Sequence, residues 1–136
     1  MKKSLVLMVT LCVSACFITT AHALTQKQLE QRLRQNALLH IDTMCQQMPD
    51  CGGKIQTIKK PNGKWIRTYC ELKKDSLKIK VHEVQDTGKF VGTIKYIKVT
   101  YEAVGNSKES VMQQPFRVVE KNRVTKIRQY KDNKWQ

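Results

Sequence analysis

Acidic side chains are scarce in this sequence. It holds 11 Asp and Glu against 25 Lys and Arg, a formal net charge of +14 over 136 residues. The carboxylates are also dispersed. Glu71, Glu83 and Glu102 each stand among lysines, a pattern of solvated ion pairs and not of a converging acid–base pair. Histidine is nearly absent beyond His40 and His82. With so few imidazoles and thiols no metal centre is expected. No His-Glu-x-x-His, phosphate loop or dinucleotide fingerprint occurs, so no cofactor is expected either. The cysteines form neither a Cys-x-x-Cys redox motif nor a zinc spacing. Repeats, low-complexity stretches and linkers are missing. A Cys–His nucleophile would need Cys45, Cys51 or Cys70 beside one of the two histidines, and in an oxidising compartment a bridged cysteine is the simpler expectation. These absences point away from an enzyme.

What is present begins with an export signal. Lys2 and Lys3 precede an apolar stretch, Leu5 to Ile18, that is too short to span a bilayer comfortably. Ala21-His22-Ala23 then supplies a small-x-small cleavage pattern. Residues 1–23 read as a secretory signal peptide of bacterial type, and residues 24–136 as one small domain in the periplasm or outside the cell. Val13-Ser14-Ala15-Cys16 is a second processing pattern, similar to a lipobox, and would place a lipidated Cys16 at the mature end. Cleavage after Ala23 removes Cys12 and Cys16. Cys45, Cys51 and Cys70 remain, which allows one bridge, one free thiol and three pairings.

The mature chain is organised around Leu24 to Met48. Leu29, Leu33, Ala37, Ile41, Met44 and Met48 recur at steps of three or four, one face of a helix. Thr25 with Gln28 offers a capping box. Pro49 ends the helix near Gln47. His40 lies on the rim of the apolar stripe. Everything later reads as strands. Lys54–Lys60 and Lys64–Leu72 flank Pro61-Asn62-Gly63, a bulged hairpin turn that sets Ile58 opposite Ile66 and brings Cys70 toward the corner at Cys51. Cys51–Cys70 is therefore the expected disulfide, with Cys45–Cys70 second. Ser76–Gln85 alternates Leu77, Ile79 and Val81 with Lys78, Lys80 and His82. Asp86-Thr87-Gly88 turns the chain into Lys89–Val104, where a change of apolar parity near Lys95 and Tyr96 suggests a bulge. A polar loop, Gly105–Ser110, follows. Phe116–Glu120 and Arg123–Tyr130 read as a hairpin around Lys121-Asn122, and the tail from Lys131 as frayed unless Trp135 docks.

One helix followed by five or six hairpin-linked strands predicts an α+β fold, a curved antiparallel sheet wrapped on the helix. By element order alone this resembles the cystatin-like and NTF2-like architectures. No Gln-x-Val-x-Gly inhibitor loop accompanies it, and such folds host unrelated functions.

Two surface features are candidates for binding. Trp65, Arg67 and Tyr69 share one face of the first hairpin, and aromatics with arginine are enriched at binding hot spots. Lys78, Lys80, His82, Lys95, Lys98, Arg117, Lys126 and Arg128 are placed to give the sheet a basic outer face. The expected role is non-enzymatic docking of an acidic protein partner, as an accessory subunit, inhibitor or immunity protein. The alternative is a small ligand or an anionic envelope surface, lipid or lipopolysaccharide. Nucleic acid is disfavoured, since no RNP, KH or OB motif is present and export removes the chain from most nucleic acid.

Overall fold

A cap and a proline bound the long helix. In the computed structural model, which describes residues 24–85 and 87–136, α1 runs Gln26–Gln47. The signal-peptide and lipobox readings lie outside the described residues, as does Asp86. The Thr25 hydroxyl accepts from the Gln28 N–H at 3.3 Å, and the Gln28 amide oxygen accepts from the Thr25 N–H at 2.8 Å. Met48 is already extended ahead of Pro49, with ψ 133°. Leu29, Leu33, Ala37 and Ile41 are buried, while Met44 and Met48 are half-buried.

Five antiparallel strands follow in meander order, β1 (Gln56–Lys59), β2 (Trp65–Val84), β3 (Lys89–Gly105), β4 (Arg117–Lys131) and β5 (Lys134–Trp135). The fold is α+β: one N-terminal helix and a sheet curled into a half-barrel. The first hairpin forms as its turn chemistry dictates. Ile58 pairs with Ile66, and Gly63 takes the left-handed conformation at φ +82°, which costs a residue without Cβ nothing. The core joins the helix stripe to Leu77, Val81, Ile94 and Tyr96. Among the described residues no helix is long and apolar enough to cross a membrane.

Several expectations are corrected. The segments 64–72 and 76–85 are one strand, because β3 runs beside both. The bulge lies in β2, not in β3. Lys73 pairs with Ile97 and Lys78 with Lys95, so β2 spends five steps where β3 spends two. The apparent parity change in β3 has another cause. Its even residues, Gly92, Ile94 and Tyr96, face α1, and its odd residues Val99 and Ala103 are buried on the opposite face. The strand alternates regularly but is covered first on one side and then on the other. The cover on the far side is a short helix, α2 (Lys108–Met112), capped by Ser107 where a polar loop was expected. No hairpin forms at Lys121-Asn122. β4 passes straight through, pairing Val99 with Lys121 and Lys98 with Asn122. The turn sits at Asp132-Asn133, both at positive φ (51° and 59°). Its return strand docks the tail, and the Trp135 indole N–H donates to the Leu29 carbonyl at 3.3 Å.

The disulfide is also corrected. Cys45 is bonded to Cys51 across a Cα–Cα distance of 5.0 Å, and Cys70 is free and buried. Cys70 does reach the Cys51 corner, where the two residues form a backbone bridge and the Cys70 N–H donates to the Asp50 carbonyl at 2.6 Å. The chain reverses directly after the helix, however, and so returns Cys51 to the last turn of α1. The bond made is the local one, which closes the shortest loop available to these cysteines.

Candidate anion-binding face

The β2 bulge creates the site. Before it, the even residues Ile66 and Cys70 are the buried ones; after it the odd residues Leu77 and Val81 are. Lys78, Lys80 and His82 are thereby turned away from α1. Ser76 secures the irregularity: its hydroxyl donates to the Lys73 carbonyl at 2.5 Å and accepts from the Ile97 N–H at 2.9 Å. Lys78 stands directly opposite Lys95, and Lys80 opposite Thr93. Arg123 of β4 stands opposite Ile97. Together these side chains line a hollow of about 630 Å³, with Thr93 and Ile97 among its wall residues and no carboxylate lining it. Like charges facing across a strand pair destabilise one another. An anion seated there would relieve that repulsion. Among the described residues the ion pairs are Lys73–Glu71 and Lys74–Asp42, so none of the hollow's cations is neutralised by a salt bridge.

The expected basic set is thus divided. Lys78, Lys80, His82 and Lys95 share the hollow. Lys98 pairs with Asn122 and Leu72, and Lys126 and Arg128 pair with Ile94 and Gly92, all on the parity that faces α1. The Lys126 ammonium lies 2.8 Å from His40 Nε2 and 3.3 Å from Met44 Sδ. Burial, then Lys126, then Arg128 hold His40 below its ordinary 6.5, so the neutral ring accepts from the ammonium. Arg117 pairs with Glu102 at the other end of the sheet. Arg123 was missed because a turn at Lys121-Asn122 would have put it at a strand start. Its signal was that no glycine or proline interrupts Phe116–Tyr130, the residues that most strongly punctuate a strand.

Trp65, Arg67 and Tyr69 are engaged by the chain itself. Tyr69 stacks on Tyr101 (centroids 4.7 Å) and meets the edge of Phe116 (4.8 Å). The Arg67 guanidinium lies 5.0 Å from the Phe116 centroid and donates to the Met112 carbonyl at 3.1 Å. Lys108 of α2 approaches the Trp65 ring at 6.0 Å. α2 and Phe116 therefore cover this face, and its rings hold the far end of the sheet together.

Among the described residues no cluster of His, Cys, Asp or Glu is arranged to hold a metal. No family model matches the sequence, and no curated protein or solved structure matches it either.

Proposed function

We propose that this chain is a non-enzymatic exported protein, periplasmic or secreted, that docks an acidic protein partner through the outer face of its sheet. The observation that carries the reading is the hollow built from Lys78, Lys80, His82, Lys95 and Arg123 with no carboxylate lining it. A concentrated positive surface steers acidic partners and weakens with salt. The test is capture of acidic proteins from an envelope extract by the wild-type chain and by a Lys78→Glu/Lys95→Glu variant. Salt-sensitive capture lost in the variant is the expected result. Capture that survives both high salt and charge reversal overturns the reading.

A second reading draws on the size of the hollow. About 630 Å³ lies within the range of small-ligand sites, and its wall includes Ile97. A small anionic ligand or an anionic envelope headgroup fits that chemistry. Flotation with vesicles containing anionic lipid, compared with zwitterionic vesicles, separates it from the first.

A further inference from the structure

The two long edges of the sheet are finished differently. Beyond short β1, the free side of β2 is guarded by α1. Gln26 Nε2 donates to the Val81 carbonyl at 2.7 Å, and Glu30 Oε1 accepts from the Val81 N–H at 3.4 Å. Farther along, the backbone of Cys51 pairs with that of Cys70. β4 has no comparable guard. β5 pairs only with its last residues, Tyr130 and Lys131, and Gln129 exchanges backbone bonds of 3.1 and 2.9 Å with Gln136.

That exchange fixes the phase of the strand. Gln129 turns its N–H and C=O away from β3. The β3–β4 register is unbroken from Phe90–Tyr130 to Thr100–Glu120, so Ile127, Thr125, Arg123 and Lys121 turn theirs the same way. All four residues are exposed, Ile127 at 69%. Among the described residues no strand pairs with them on the side away from β3.

We infer that this open edge, Lys121 to Ile127, accepts an extended acidic segment of a protein partner as an added strand. The inference rests on the acidic-partner reading above and specifies how the partner is held. Charge selects the occupant. β4 carries Arg117, Lys121, Arg123, Lys126, Arg128 and Lys131 against Glu120 alone. A second copy of the chain would set this strand against itself, with like charges across the new pair. An acidic strand neutralises them while backbone bonds supply the pairing. Its alternate side chains fall beside Arg123 on the outer face and beside Lys126 and Arg128 on the inner one. Arg123 belongs both to this edge and to the hollow, so the two surfaces are continuous.

The probe is a peptide of about ten residues alternating Glu and Val, a length within the ordinary range of strands. Amide hydrogen exchange of the unmodified protein is followed residue by residue with and without it. The expected result is slowing by about tenfold or more at Lys121, Arg123, Thr125 and Ile127. Thr125→Pro, which removes an outward N–H and no bond to β3, weakens binding, while Thr125→Val retains it. If the peptide binds, is lost in Lys78→Glu/Lys95→Glu and leaves those four amides exchanging as before, the added strand is wrong and the acidic-partner reading stands. If no acidic peptide or protein binds at all, both fail. Protection of the same amides by raised protein concentration alone would assign the edge to a second copy and overturn the inference.

Discussion

Gly92 shows how little room the core leaves. A Cβ there would collide with Leu33 Cδ2 and stand 2.9 Å from Trp135 Cζ3, so helix, sheet and tail meet over this one position. Gly92→Ala is expected to lower stability by about 1–3 kcal/mol, as overpacking does, and a urea titration measures it. The cysteines divide by environment. Cys45 and Cys51 close a loop of sequence separation 6, for which chain entropy supports about 2 kcal/mol. Cys45→Ser/Cys51→Ser should lose about that much. Burial, followed by the Asp50 charge, raises the Cys70 thiol above its ordinary value. In protein prepared from Leu24 onward, which omits Cys12 and Cys16, a thiol reagent should therefore find no reactive cysteine in the native state and one after denaturation without reductant. His40 gives the pH dependence. Its folded pKa is depressed below 6.5, so the unfolded chain binds the proton more readily. Stability is full above 6.5 and declines as pH falls through that value toward the lower folded one. Thermal unfolding between pH 8 and 5 checks this, and His40→Gln should flatten the decline.

At the scale of elements, the ends of α1 were legible because they depend on neighbours in sequence. Thr25, Gln28 and Pro49 act within one turn. Thr25→Ala is expected to cost about 1 kcal/mol, read from the urea midpoint. The first hairpin was legible for the same reason, since Gly63 sets its own turn and the register follows by counting. The long strands were not. A residue-by-residue pattern cannot distinguish a strand that ends from one that bulges and continues, because both interrupt the alternation. Only the partner strand, with Ile97 and Lys95 facing Lys73 and Lys78, decides between them. α2 escaped notice because five residues carry too few turns for a helical period. Trp65, Arg67 and Tyr69 were correctly grouped on one face, yet what lies over that face comes from Phe116 and α2, far along the chain.

Across the whole molecule, charge is the dominant feature. With 25 basic and 11 acidic residues and two ion pairs among the described residues, the folded chain repels itself. Moderate salt should then raise the thermal midpoint by a few degrees through screening while weakening any acidic ligand. Differential scanning fluorimetry and a binding titration across the same salt series test both signs. The sequence by itself determined the helix and its buried stripe, the α+β order, the first hairpin and the excess of positive charge, because caps, turns, periodicity and composition are local or additive. Only the tertiary structure decided which cysteines are joined, that β4 is continuous with an open edge, and which lysines share a hollow. The disulfide follows from the reversal that returns Cys51 to the helix end, whereas the other two depend on the register between strands distant in sequence, where the β2 bulge reverses the faces of the later residues of that strand.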